Sequence, residues 1–516
     1  MKRSQLISAA LLAAGLFAQE RVDLAVINRI KAEAFQNSKV MDHLLYLTDV
    51  YGPRLAGSPQ YRKAAGYAVE TLKSWGLDDA RLEKWGTFGR SWSYSRFSAH
   101  LVEPESAPLI GVPLAWSPGT EGPVTGEVVI VNAPTPEEAA KYKGQLKGKI
   151  VFAKGPVEVT LDTEADTRRY SEAQLDETAQ APDPARAPGA RPAGDPRGRE
   201  EARQNRVKLA RFYRDEGVLA VVTASARGGE GTIFTMPAGS RDAKDPVPPV
   251  TFALTVEHYN RIARLVERKI PVKVEFDVRA RFHEDADGVN VIADLKGARK
   301  QDELVMIGAH LDSWHAGTGA VDNAAGCAVM MEVMRILTAL NLKLDRTVRI
   351  ALWDAEEQGL VGSREYVKAH FADRATMERR KEHDKLSGYF NYDNGSGKIR
   401  GVYLQGNDMM RPIFESWFAP LKDLGVTTVS IRNTSGTDHL SFDAVGLPGF
   451  QFIQDPLDYG SRRHHSNMDV YEAVQKGDLM QASAVIASVV YHAATRAEML
   501  PRKPLPKPEG KPDGGR

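Results

Sequence analysis

Residues 304–326 read LVMIGAHLDSWHAGTGAVDNAAG. The run Leu304–Ala309 is continuously apolar, which predicts a strand buried on both faces. It ends at His310, and Asp312 and Asp322 follow in a loop rich in glycine. Asn323–Leu340 then carries apolar side chains at helical spacing and predicts a long helix. The same order recurs downstream. Val348–Trp353 is apolar and leads into Glu356 and Glu357 within ALWDAEEQGLVGS. Tyr389–Tyr392 leads into Asp393, and Gly449–Ile453 leads towards His464 and His465 within RRHHSNMDVYE. Gln475 to about Ala494 predicts a last helix. Strands alternating with helices predict an α/β fold, a mostly parallel or mixed central sheet flanked by helices. Open sheets of this kind bind ligands beyond the carboxyl ends of their strands. The histidines and carboxylates, far apart in sequence, therefore converge on one rim.

Carboxylates packed together repel, and burial adds a desolvation cost to each charge. A divalent cation removes both difficulties. The single cysteine, Cys327, excludes an intramolecular disulfide and any cysteine-based zinc cluster. Imidazole and carboxylate ligands suit zinc. The inventory suits two ions better than one, and hydrolytic metal pairs sit about 3.5–4 Å apart. Cys327 itself lies inside the apolar helix and reads as a small buried hydrophobe.

Working outwards, Ser58 and Pro59 predict the N-cap and first residue of a helix that Gly76 stops. From about residue 105 to 275 the chain changes character. Short β-runs appear at Glu127–Asn132, Lys149–Ala153 and Leu219–Thr223, with a helix over Ala202–Glu216. Ala181–Gly198 holds five prolines in eighteen residues and reads as an exposed loop. Pro501–Arg516 has no apolar periodicity and reads as a disordered tail. At the other end, Lys2 and Arg3 precede an apolar run of 13 residues, Leu6–Ala18, too short to span a bilayer. That is the pattern of a signal peptide over residues 1–18, so the product is expected to be secreted or periplasmic, with no membrane span. The whole chain has 516 residues and 68 Lys+Arg against 67 Asp+Glu, a balance that excludes a globally basic nucleic-acid binder.

GAHLDSW, AVDNAAG, DAEEQGLVGS, the aspartate of NYDNGSG and the HHS near the end resemble the M28 family of di-zinc peptidases. GPRLAGSP at Gly52–Pro59 extends the resemblance towards the N-terminus. GKIVFAKG and GVLAVVT in the middle region resemble the protease-associated (PA) domain inserted in some of these enzymes. The resemblance implies peptidase domain parts at 19–104 and 276–500, around a β-rich PA-like insert at 105–275. It implies that Asp322 bridges two Zn²⁺ ions, that one ion also takes His310 and Asp393, and that the other takes Glu357 and His465. His465 is preferred to His464 because the family's ligand directly precedes a small hydroxyl residue, here Ser466. Asp312 would orient His310, and a non-proline cis bond would follow Asp322. Glu356 would be the general base, taking a proton from the attacking water and returning it to the leaving amine. SGTDHLSF at Ser435–Phe442 resembles an element near the family's substrate pocket, so Asp438 and His439 would support the site or touch substrate.

Taken singly, Asp312 or Asp393 would pass for a solvated surface carboxylate. Only the combination carries the reading. His464 reads as a structural neighbour, and His315 as a loop histidine or a substrate contact. The implied activity is that of an exopeptidase on short peptides, an aminopeptidase or dipeptidase first and a carboxypeptidase second, with homodimerisation possible. Two other classes compete. A non-catalytic binding ectodomain on the same scaffold would have lost ligands, whereas this chain keeps all five and the base. A glutaminyl-cyclase-like acyltransferase would need one zinc.

Overall fold

The strand expected at Leu304–Ala309 runs from Lys300 to His310 and occupies an interior position of the 14-stranded sheet formed among the described residues. The computed structural model describes residues 20–160, 162–184, 196–225 and 227–509. The segment expected to be a signal peptide, residues 185–195 of the proline-rich loop and residues 510–516 of the tail lie outside the described residues.

Parallel to the central strand lie Arg346–Trp353 on one side and Leu386–Asn391 on the other. Gly449–Gln454 continues in parallel beside Leu386–Asn391. Ile399–Tyr403 joins antiparallel, and Thr428–Ser430 closes that edge. The sheet is thus mixed, with four parallel strands ending on one rim. Alternate residues of the central strand face opposite layers, as the pleat requires. Val305, Ile307 and Ala309 pack with the helices Pro59–Ser74, Ala325–Ala339 and Lys476–Thr495. Leu304 and Met306 pack with Trp353, Tyr366, Phe371 and Phe442 on the other face.

The helix ends follow local chemistry. The Ser58 hydroxyl accepts from the Tyr61 amide at 3.1 Å, Pro59 fills the first turn, and Tyr61, Ala64, Ala65, Ala68, Val69 and Leu72 form its buried face. The helix after Asp322 starts at Ala325, two residues later than the periodicity predicts, and the Asp322–Asn323 bond is cis. Pro196, expected inside an exposed loop at Ala181–Gly198, instead opens the helix Pro196–Asp215, where its missing N–H costs nothing.

Asp78–Glu103 and Lys273–Leu295 form one long antiparallel ribbon, paired from Asp78 opposite Asp294 to Glu103 opposite Lys273. One end of the ribbon extends the main sheet through Arg346–Trp353. The other end carries a second unit with its own core, including Leu101, Ile150, Phe152, Val222, Phe252 and Phe276. There, Val124–Ile130, Lys149–Phe152, Ala220–Ala224 and Val250–Leu254 lie in order and parallel. The second core therefore draws on residues on both sides of the boundaries expected at 105 and 275, such as Ala99 and Val278. The described part of the tail is also held. Arg502 donates to the Leu386 carbonyl at 2.6 Å, and Lys503 pairs with Asp443 at 2.6 Å. Proline spacing excludes a helix there but does not stop single side chains from docking.

Candidate metal centre

The ends of the four parallel strands and the loops that follow them bring side chains to one place. His310 is the last residue of its strand and is buried. Its Nε2 lies 3.2 Å from Asp322 Oδ1 and 3.6 Å from Asp393 Oδ1. The other oxygen of the same aspartate, Asp322 Oδ2, faces His465 Nε2 at 3.4 Å. Glu357 Oε2 lies 2.8 Å from that same His465 nitrogen. One carboxylate thus stands between two groups, His310 with Asp393 and His465 with Glu357. His464 is also close, with Nε2 at 3.8 Å from Asp322 Oδ2, and its ring centroid lies 3.6 Å from that of His465 with the two planes tilted by 30°. The five expected ligands and their expected neighbour His464 gather on this rim.

The supporting bonds differ from expectation in one respect. His310 Nδ1 meets the main-chain carbonyl of Asp312 at 3.0 Å, whereas the Asp312 carboxylate stands 3.7 Å away, beyond hydrogen-bond length. That carboxylate instead accepts from the amides of Glu356 at 3.1 Å and Glu357 at 3.3 Å. Asp312 therefore orients His310 through its backbone and the two glutamates through its side chain. The Cys327 thiol donates to the His310 carbonyl at 3.0 Å, which ties the strand end to the following helix. Burial pushes this thiol up to about 12, so it is no nucleophile.

Three residues without a sequence-assigned role hold the loops. The Asp469 carboxylate accepts from the amides of Val321 at 2.6 Å and Asp322 at 3.2 Å. Asp354 Oδ2 accepts from the Val289 amide at 2.9 Å, behind the turn that carries the two glutamates. Arg54, fully buried within GPRLAGSP, donates to the carbonyls of Leu47, Leu311, Thr318 and Gly319 at 2.7–2.8 Å. All three lie inside the quoted motifs, so those motifs were the available signal. His315 is structural. It is buried with Nε2 on the Pro113 carbonyl at 2.7 Å, and burial pulls it down to about 4. Asp438 and His439 are also buried, and their side chains find no hydrogen-bond partner among the described residues.

Electrostatics test whether a cation belongs here. Burial pushes Asp322 up, but the bond to His310 and the charges of His310, His465 and His464 outweigh it and hold Asp322 below the usual carboxylate range. Burial above all drives Glu356 and Glu357 well above that range, with Asp393 adding to both. Burial likewise lowers His465. Asp322 Oδ2 and Glu357 Oε1 are buried without a hydrogen-bond partner. A buried cluster of carboxylates and imidazoles with unpartnered oxygens is what divalent cations discharge. His310, Asp322 and Glu357 offer ligand atoms within 4.8 Å of one another, as do Asp322, His464 and His465. The donor set fits.

Comparison with known proteins agrees with this geometry. Residues 290–490 match peptidase family M28. They form an M28 peptidase domain. Mouse carboxypeptidase Q is 28% identical over 485 residues, covering 94% of this chain and 91% of that protein. The crystal structure of an M28 peptidase precursor from Shewanella amazonensis aligns with a TM-score of 0.65 at 26% identity, covering 94% of this chain and 98% of that one. A zinc aminopeptidase from Bacillus subtilis shares the fold, with a TM-score of 0.53 at 20% identity over 89% of this chain and 94% of that one. The metallopeptidase family that the motifs resemble is therefore the one the M28 domain carries. No helix among the described residues is long and apolar enough to cross a membrane.

Proposed function

We propose that the protein is an exported, zinc-dependent exopeptidase that hydrolyses short peptides, acting as an aminopeptidase or dipeptidase. The observation that carries the reading is the carboxylate of Asp322, whose two oxygens face His310 and His465 separately. His310, Asp322 and Asp393 would hold one zinc, and Asp322, Glu357 and His465 the other. Bound zinc supplies Lewis acidity for the scissile carbonyl and lowers the pKa of water.

The chain's own residues do the rest. Glu356 is buried in the same turn as Glu357, and neither of its carboxylate oxygens is committed to a hydrogen bond among the described residues. It takes a proton from the attacking water and delivers it to the leaving nitrogen. Asp312 fixes both glutamate amides, so that the base and its neighbour keep separate directions. Asp438 sits close enough for its charge to act on Glu356, and burial pushes it up to about 7. It shapes the pocket wall rather than holding zinc.

Two features support short substrates. Phe234 of the second unit pairs with Ser466 beside His465, so that unit stands over the rim. A cavity of about 570 Å³ lies between Asp162–Tyr170 and Gln454–Ser461 and includes Asn394, the neighbour of Asp393. The surplus of carboxylates supports binding of a free amino terminus. The carboxypeptidase reading has its own support, because carboxypeptidase Q matches along 94% of this chain.

The test uses zinc-loaded protein, one short peptide with both ends free, N-acetylated or C-amidated, and Glu356→Gln as background. Loss of cleavage on acetylation alone means an aminopeptidase, and loss on amidation alone a carboxypeptidase. Loss on either means a dipeptidase. Two zinc ions per chain with no cleavage of any peptide would overturn the exopeptidase reading, one ion would favour the acyltransferase, and none the binding ectodomain.

A further inference from the structure

His465 is the least conventional member of the site. The imidazoles of His464 and His465 are partly exposed, at 34% and 28%, whereas His310 is at 1%. Its backbone lies in the left-handed region, with φ of 62°, a conformation that a residue with a Cβ keeps only when its surroundings impose it. What imposes it comes from the other unit. The His465 carbonyl accepts from the Thr235 amide at 2.8 Å and from the Thr235 hydroxyl at 3.0 Å, which fills both of its lone pairs. These are the hydrogen bonds made by the His465 main chain among the described residues. The contact is reinforced on either side. Phe234 forms a β-bridge with Ser466. Asn467 accepts from the Ile233 amide at 2.7 Å and donates to the Gly231 carbonyl at 3.0 Å, and its own amide donates to the Ile233 carbonyl at 3.0 Å.

We propose that Thr235 is a positioning residue for His465, and that the Gly231–Thr235 segment of the second unit thereby completes one of the two metal sites and leaves the other independent of it. The inference rests on the metal assignment made above. Fixing the carbonyl and the left-handed φ fixes the Cα–Cβ direction of His465, and so the approach of its imidazole to Glu357 and Asp322. His310 and Asp393 receive no bond from this segment. Their anchors are the Asp312 carbonyl and the Gln451 amide, both within the M28 domain.

The experiment measures zinc affinity by chelator competition on full-length protein, resolving the two binding steps. The variants are Thr235→Val, which deletes the hydroxyl at nearly constant shape, Thr235→Ser, which keeps it, and Asn467→Ala, which releases the segment from the other side. Support for an orienting partner of a metal ligand predicts an affinity loss of about 10-fold or more in one step. Thr235→Val and Asn467→Ala should both show it, Thr235→Ser should bind as the wild type does, and the other step and the metal-free melting temperature should stay unchanged. Equal loss in both steps, or a lowered metal-free melting temperature that accounts for the loss, would assign Thr235 a merely structural role and overturn the proposal. So would unchanged affinity in Thr235→Val. A wild type that takes up no zinc would instead overturn the metal assignment, and this inference with it.

Discussion

Glu356 and Glu357 are neighbours in one turn, so exchanging each for glutamine separates base from ligand at constant shape. Both turn amides bond to Asp312, and neither bond involves a side chain that changes. The metal-free fold should therefore be the same in both variants. Glu357 Oε2 sits 2.8 Å from His465 Nε2, and its Oε1 is buried with no partner, so the whole carboxylate is committed to the centre. Replacing its charge with an amide should weaken the zinc on the His465 side by at least about 100-fold, beyond the usual cost of losing an outer-shell partner. Glu356 makes no such contact. Glu356→Gln should retain both ions and lose about 10²–10⁴ in kcat, the usual contribution of a general base, which corresponds to roughly 3–5 kcal/mol of barrier. Zinc content after equilibration in a buffered zinc series, alongside kcat on one unblocked peptide, reads both effects. A Glu357→Gln protein that keeps two ions, or a Glu356→Gln protein that sheds one, would show that the roles have been assigned to the wrong glutamates.

Arg54→Lys preserves the charge but loses the planar fork that reaches four carbonyls. With two charge-assisted bonds lost at about 1.5 kcal/mol each, urea unfolding should show roughly 3 kcal/mol of destabilisation, and an unchanged midpoint would count against the fork. Gly326→Ala would place a Cβ 2.3 Å from Asn323 Oδ1 and 2.6 Å from the Tyr392 carbonyl. It should cost about 1–3 kcal/mol of stability, with activity lost because Asn323 adjoins Asp322. His370, at the end of the helix Val361–His370, lies 2.6 Å from Glu83 on the ribbon strand Asp78–Glu103. Burial lowers its pKa, but its bonds to Glu382 and Glu83 outweigh this and raise it from 6.5 to about 9. The raised value means that the contribution is complete below about pH 6.5 and fades as pH climbs through about 9. After discounting for partial exposure, it is of order 1 kcal/mol. His370→Gln should thus be less stable than wild type near pH 6 and equal to it near pH 10, and a gap that persists at the higher pH would refute the linkage.

The sequence reading succeeded where one residue's environment is set by its near neighbours. Leu304–Ala309 is apolar because the strand has helices on both faces, and Ser58–Pro59 cap a helix by chemistry contained in three residues. The reading thinned where the environment changes along an element. Asp78–Glu103 serves two cores in succession, and its burial follows no steady alternation, so no strand of 26 residues is legible there from periodicity. The site residues were legible because each stands at the end of a strand of the same sheet or in the loop after one. Thr235 was not, since it carries no motif and reaches His465 across 230 residues of chain. Asp312 was legible as a site residue but not in which of its atoms does the orienting, because that depends on the turn the chain makes after Leu311.

The framework of the rim has a common physical basis. Asp312 and Asp469 are buried carboxylates, and each spends both oxygens on backbone amides of a different loop rather than on a cationic side chain, while buried Asp354 accepts from the Val289 amide and the Trp85 indole through one oxygen. Arg54 does the reverse, giving its N–H groups to the carbonyls of the loop before the cis bond. Loops cannot satisfy buried backbone groups by regular pairing, and an unpaired buried group is costly. Charged side chains are the donors and acceptors strong enough to fix such loops from outside. Their desolvation cost is met by the same bonds that fix the ligand-bearing residues, so stability and site geometry depend on the same few contacts. That coupling is why conservative exchanges at Arg54 should be felt in metal affinity as well as in unfolding, though Arg54 does not touch any of the proposed ligands' side chains.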